Sequence, residues 1–494
     1  MPSVRELIDR AEHCHREEAL EVYNAFSGLQ DKLDIVSIYK RYPELFSRET
    51  YDFVTALGEG DLPEERERRM TKWMFTRKYI SNKFKELIED LENAEAAAQV
   101  EVDGESHPYL SVVILIAREA DYGRRGRLNE AYLAKMDELN PQREELDARG
   151  RELILSLGYT GTIDLCQQLA KLRIYPVREL TGAFLRDTDA LFEERLERFA
   201  ARTDTLTRES LRHADLPYLW RAGRFDSLFP VDDMVPALRR TLAGLGIDLE
   251  AQPNATLDLE ARAKKRPRAF CIGIDTPRDV RLVLKPRGGQ DDYSTLFHEA
   301  GHLEFGAHMS PSLSFLYRNQ GDTSVHESYA FLLEHLLSDR VWWREVMHTE
   351  PVLSGGESYL DFTRFHRLFM FRRYSAKLHY EVEYDERGGG PPLAEAYARW
   401  LIRGCGVAYP RQRYLEDFDG GFYVVQYLQA WIWEVQLREH LRQQFGEAWF
   451  TKRSAGSLLK DMWAEGMKYD VWEVAARLGY PGLSLAPLTA ELSG

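Results

Sequence analysis

The pentapeptide His298-Glu299-Ala300-Gly301-His302 carries the most chemically loaded spacing in this 494-residue sequence. On a helix, residues four apart lie about 40° apart around the axis and roughly 6 Å along it, so both imidazoles project from one face. That is the arrangement of two ligands on one metal ion, with zinc the expected cofactor. Glu299 lies about 100° further round, too far to share the same coordination shell and well placed to hold a water at the metal. It reads as a general base.

A catalytic zinc takes three protein ligands and keeps one position open, so a third ligand has to come from elsewhere. Residues 321–335 offer Asp322, His326, Glu327, Glu334 and His335 as candidates. Glu327 also has a purely structural use, because Ser324-x-x-Glu327 has the form of a capping box in which the carboxylate reaches back to a backbone N–H. Glu327, Phe331 and Glu334 fall at i, i+4 and i+7, on one helical face. With Glu327 on the metal, Glu334 becomes a natural acceptor for a histidine N–H.

These side chains need a rigid helix beneath them. Over residues 293–308, Leu296, Ala300, Leu303 and Ala307 recur with helical period beside the histidine face, and Asp292 or Ser294 can cap the start. Gly301 costs about 1 kcal/mol relative to alanine inside a helix, so its presence predicts a close backbone approach there. Ahead of the helix, residues 269–275 and 280–285 are short, apolar and β-branched, and Thr276-Pro277-Arg278-Asp279 between them is a turn; together they predict a hairpin. An extended peptide can add to a strand beside a metal cleft, and residues 282–285 are the expected place.

The rest of the chain predicts scaffold. The first two hundred residues read as helix after helix, with Ile80, Phe84, Leu87 and Leu91 marking one buried stripe and Leu180, Phe184, Leu191 and Phe199 marking another on a helix over residues 179–200. The expected fold is mostly α, with a boundary near residue 205 between an N-terminal helical region (1–205) and a catalytic region (206–494). Arg124-Arg125-Gly126-Arg127 predicts a solvated face or turn, and Lys264-Lys265-Arg266-Pro267-Arg268 a loop before a strand. Sixty-five basic against 80 acidic residues leave a net charge of −15, which repels phosphate backbones and anionic membranes, so neither nucleic acid nor membrane is an expected partner. Cys14, Cys166, Cys271 and Cys405 form no C-x-x-C pair and predict reduced thiols. The N-terminus lacks the order of a signal peptide and no apolar run reaches about 18 residues, so a cytoplasmic location is expected.

Arg268-Ala269-Phe270-Cys271, the strand ending in Leu282-Val283-Leu284, the run from Asp292-Tyr293-Ser294-Thr295 to His302, and Glu327 with Ser328 and Glu334 resemble the thimet oligopeptidase and oligoendopeptidase F family of zinc metallopeptidases. They are similar also to the angiotensin-converting enzyme family and the related carboxypeptidases. The combined motif spans residues 268–334 and continues weakly through Phe445-Gly446, Ala455-Gly456, Trp463, Gly466 and Leu478-Gly479-Tyr480. The resemblance implies zinc held by His298, His302 and Glu327, Glu299 as base, a helical bowl with the site at the foot of a narrow channel, and hydrolysis of short unfolded peptides. It also implies a tyrosine hydroxyl that donates to the developing oxyanion, and residues 418–427 supply Tyr423 and Tyr427. No histidine occurs between His379 and His440, so the family histidine is missing there, with Asp417 or Phe418 nearest its place. The alternatives are a zinc carboxypeptidase and a metal-retaining family member that binds peptides without cleaving them.

Overall fold

The computed structural model describes residues 2–201, 206–266 and 268–493. Among them 21 α-helices predominate and only two small sheets interrupt them, the mostly α fold that the apolar periodicities predict. The chain forms two compact units, each assembled from separate segments. The first comprises Met1–Tyr79, Gly223–Thr363 and Gln429–Leu488, and the second Ile80–Ala222, Arg364–Leu428 and Thr489–Gly494. The boundary read near residue 205 falls outside the described residues, and neither unit is a continuous half of the chain. No described helix is long and apolar enough to cross a membrane, and all four cysteines are free thiols.

In the first unit, the N-terminal helix Val4–Phe26 starts at a capping box: Ser3 accepts from the Glu6 N–H while Glu6 accepts from the Ser3 N–H. Its Leu7, Ala11 and Cys14 join a buried cluster with Met70, Met74, Phe75 and Phe315, and each such large side chain contributes about 1.5–3 kcal/mol by leaving water. Further along, Ala19 and Tyr23 pack on Ile274 and Val283 of the adjoining sheet.

Of the two sheets, the hairpin of β1 (Gln99–Val102) and β2 (Glu105–Pro108) lies in the second unit. The sheet of the first unit holds β3 (Ala255–Asp258), β4 (Phe270–Asp275) and β5 (Asp279–Val283). The predicted hairpin is present as β4 antiparallel to β5, with Cys271 opposite Leu282. β3 adds parallel to β5 on its other side, giving the order β3-β5-β4. Residues 282 and 283 therefore sit on the central strand with both edges occupied, which corrects the expected place of peptide addition; the outer edge on the hairpin side belongs to β4. The basic run before β4 is structural as well. Lys265 is buried, and its Nζ donates to Asp258 Oδ1 at 3.0 Å and to the carbonyls of Asp258 and Glu260 at 2.6 and 3.0 Å. Pro267 of that run lies outside the described residues.

In the second unit, Val100 and Val102 pack with Val112, Leu128, Tyr132 and Met136 of the helices Tyr109–Arg118 and Tyr122–Ser156. Three expectations are corrected there. Arg125 is buried rather than solvated, and its Nε donates to the buried Asp215 at 2.9 Å, while Arg124 and Arg127 reach Glu105 and Asp103 of the hairpin region. A charge leaves water only when its partner and remaining donors are satisfied, and Arg125 also donates to the carbonyls of Glu119 and Ala120. Residues 179–200 belong to two helices, Ile174–Asp187 and Asp189–Ala200, separated at Thr188, whose hydroxyl donates to the Phe184 carbonyl at 2.7 Å. Phe184 and Phe199 are buried as predicted, whereas Leu180 and Leu191 are half-buried. Ile80, Phe84, Leu87 and Leu91 are half-buried too: the large apolar residues that the helix Glu65–Ala97 buries, Met70, Met74, Phe75 and Tyr79, all belong to the first unit.

Candidate active site

The two histidines stand on the helix Gln290–Ala307, the histidine helix, which begins three residues before the predicted start. Its N-cap is Gly289 at φ 89°, a left-handed conformation that glycine adopts without steric penalty. The capping acceptor comes from distant sequence: Asp226 Oδ1 accepts from the Gln290 N–H at 3.1 Å. Neither predicted cap plays that part. Asp292 accepts from the N–H groups of Arg287 and Gly288 at 2.5 and 3.0 Å, tying down the loop that enters the helix, and Ser294 donates to Glu334 Oε1 at 2.6 Å.

Glu327 stands on the helix Thr323–Glu334, the glutamate helix, whose N-cap is Asp322, accepting from the Ser324 N–H at 2.9 Å. With the cap at Asp322, Ser324 is already inside the helix and Val325 holds the third position, so the capping-box use of Glu327 does not occur. The two helices cross at Gly301, where a Cβ would lie 2.5 Å from both Ala330 Cα and the Tyr329 carbonyl. This is the close backbone approach that a glycine inside the helix predicts.

That crossing brings His298, His302 and Glu327 together, with ligand atoms all within 4.8 Å of one another. Glu327 Oε2 is 3.6 Å from His298 Nε2, and its Oε1 is 3.9 Å from His302 Nε2. Donors about 2.0–2.1 Å from a tetrahedral zinc are separated by roughly 3.4 Å. Two imidazole nitrogens and one carboxylate at these separations fit zinc. The remaining candidates take other parts. Asp322 is a cap, His326 stacks on His302 with ring centroids 4.0 Å apart, and His335 is buried in the 3-10 turn after the glutamate helix. Glu334 Oε2 lies 2.9 Å from His298 Nδ1, which places a ring proton there and leaves Nε2, facing Glu327, as the nitrogen available to a metal.

Glu299 turns to the sheet, its Oε2 accepting from the Cys271 N–H of β4 at 2.7 Å. Burial pushes its carboxyl up to about 7, against the pull of His298 and the Cys271 N–H and with a further push from Glu327. Burial opposes charge on His298, but Glu334, Glu327 and Glu299 outweigh it and raise its pKa; burial, with His326 and His298 adding, lowers that of His302. Phe331 meets His298 edge-on at 5.4 Å and Trp431 stacks on Phe331 at 5.4 Å, so an aromatic wall confines the ring.

Tyr423 and Tyr427 belong to the second unit and the metal cluster to the first. The tyrosines occupy the opening turns of the helix Tyr423–Phe445 with rings 5.7 Å apart, and Tyr374 packs on Tyr427 at 5.1 Å. Asp417, nearest the place of the missing histidine, accepts from Arg373 Nη2 at 2.8 and 2.7 Å and from the Tyr397 hydroxyl at 2.8 Å. Burial pushes its carboxyl up, but Arg373, Lys377 and Arg413 prevail and hold it at about 2.

Two contributors escape sequence reasoning. Ser294, four residues before His298, shares its helical face, and that spacing is a usable signal. The Cys271 N–H has no such signal, because its contact with Glu299 depends on how β4 crosses the histidine helix. In comparisons with known proteins, no family model matches the chain and no curated protein matches it.

Proposed function

We propose that the protein is a zinc-dependent peptidase that hydrolyses peptide bonds in short, unfolded peptides, in the manner of the thimet oligopeptidase and oligoendopeptidase F family. The observation that carries the reading is the convergence of His298, His302 and Glu327 within 4.8 Å, with Glu299 beside them and turned off the metal face. Zinc, when bound, supplies a Lewis acid that polarises the scissile carbonyl and acidifies water. Glu299 takes the proton of the attacking water and delivers it to the leaving amine. Glu334 keeps His298 in the required tautomer and orientation. Apart from the Cys271 N–H, which Glu299 holds, the outer edge of β4 is the proposed place for an extended peptide to add, which suits substrates without folded structure. Four free thiols suit a reducing compartment such as the cytoplasm.

The test is to incubate zinc-loaded protein with a mixed peptide library and map the products by mass spectrometry. Cleavage at internal bonds is the expected result. Release of single C-terminal residues alone would make the protein a carboxypeptidase, and intact peptides beside a full zinc complement would make it a binding protein.

A further inference from the structure

We propose that a cavity beside the metal cluster receives a large apolar side chain of the peptide, and that the N-terminal helix sets this selectivity. The inference rests on the peptidase reading above. A cavity of about 460 Å³ opens between the N-terminal helix, β4, the histidine helix and the segment leading into the glutamate helix. Two of its lining residues belong to the reaction centre: His302 is a proposed ligand, and Cys271 holds Glu299 through its N–H. In a strand added to a sheet, every second side chain points to one face. The face of β4 that carries Ile272 is the one on which the N-terminal helix packs, and Ile272 also lines the cavity. A peptide extended along β4 with its scissile bond at the metal thus directs a neighbouring side chain into this space.

The lining decides the chemistry. Ala19, Val22, Ile272, Val280, Met309 and Met467 give apolar walls, and methionine adapts its shape to the group it meets. Arg318, a deeply buried charge on the wall, is already committed to Glu12 at 2.9 Å, the Leu313 carbonyl at 3.1 Å and the Thr276 carbonyl. Glu18 and Arg77 contribute one charge of each sign, which gives an ionic side chain no net preference. The volume lies within the roughly 300–1,000 Å³ usual for ligand pockets, ample for phenylalanine or tryptophan. From the N-terminal helix the contributors are His15, Glu18, Ala19 and Val22, at i, i+3, i+4 and i+7, so one continuous helical face is committed to the cavity. A region without a catalytic signature supplies selectivity.

Two measurements test the proposal, one of them without turnover. The first compares kcat/KM for zinc-loaded protein on peptides that differ only in phenylalanine or alanine at each position flanking the cleaved bond. The second measures Kd of the same peptides, fluorescently labelled, for the Glu299→Gln protein by anisotropy. At one position phenylalanine should be preferred at least about tenfold in both. Val22→Trp, which fills the cavity from a half-buried position, should erase that preference while zinc content holds. Val22→Ala removes bulk and introduces no clash, and it should move the preference from phenylalanine towards tryptophan. Equal handling of phenylalanine and alanine by the wild type in both assays, or an unchanged preference in both Val22 variants, would overturn the inference. Phenylalanine-selective binding without cleavage would sink the peptidase reading alone and leave the pocket standing.

Discussion

Glu299 and Glu327 flank the same two histidines, and their neighbours give them different work. Glu327 faces both Nε2 atoms, whereas Glu299 is drawn to β4 by a backbone N–H. Native protein should carry about one zinc per chain, and Glu327→Ala should remove most of it, as metal analysis after dialysis will show. Glu299→Gln keeps all three ligands, so zinc should stay while turnover falls at least about a hundredfold. Glu334→Gln and Ser294→Ala act through His298 and should weaken zinc affinity by about 10–100-fold for the first and less for the second, measurable by competition with a chelator. Asp417 tests a different pairing. Its folded-state pKa, about 2, lies below the ordinary 3.8, so an unfolded chain takes up the proton first. The stabilisation is complete above the unfolded value and is lost as pH falls through the folded one. Asp417→Asn should cost about 3–5 kcal/mol at neutral pH by leaving Arg373 without its counter-charge, and urea titrations should show the deficit shrinking as pH drops from about 4 towards 2.

At the scale of elements, the site depends on how closely two helices approach. Gly301→Ala places a methyl 2.5 Å from the backbone of the glutamate helix, where no flexible side chain can yield. The expected cost is about 1–3 kcal/mol of overpacking, together with weakened zinc binding as Glu327 is pushed from the histidines; unchanged affinity would mean that the crossing has slack. The same crossing shows what a sequence carries. His298, Glu299 and His302 are legible because helical geometry alone fixes their relation, and Gly301 because a glycine inside a helix needs a reason. Glu327 stays ambiguous in the sequence, since Asp322 and Ser324 are both good caps and the choice between them decides which way the glutamate turns. Asp226 at the end of the histidine helix and β3 beside β5 are invisible locally, being a pairing across 64 residues in one case and, in the other, a four-residue strand too short for its alternation to stand out. The stripe at Ile80, Phe84, Leu87 and Leu91 shows the opposite error: a correct period that implies more burial than the helix obtains.

In the whole molecule, the three proposed ligands belong to one unit although the chain visits each unit three times. Binding energy released at the ligands stabilises whatever must be folded to hold them, about 4 kcal/mol when zinc exceeds its Kd a thousandfold. Hydrogen exchange should therefore slow over Gln290–Ala307 and Thr323–Glu334 on adding zinc, with Asp417 and its neighbours in the second unit unchanged; equal slowing in both would show that the units open together. Bracing of these helices arrives late in the chain. Gln429 donates to Ser324 Oγ at 3.0 Å, Trp431 stacks on Phe331, and the Val471 N–H donates to Asp322 Oδ2 at 2.9 Å. The last ligand leaves the ribosome about a hundred residues before the first of these braces, an interval of roughly 5–20 s at ordinary rates of synthesis. During it, the nascent chain carries two histidines and a glutamate on helices that are not yet locked. A chain stopped before Gln429 should neither retain zinc nor cut peptides, so any activity of the site should appear only once synthesis has passed these braces; zinc retained by such a truncated chain would show that the braces are dispensable.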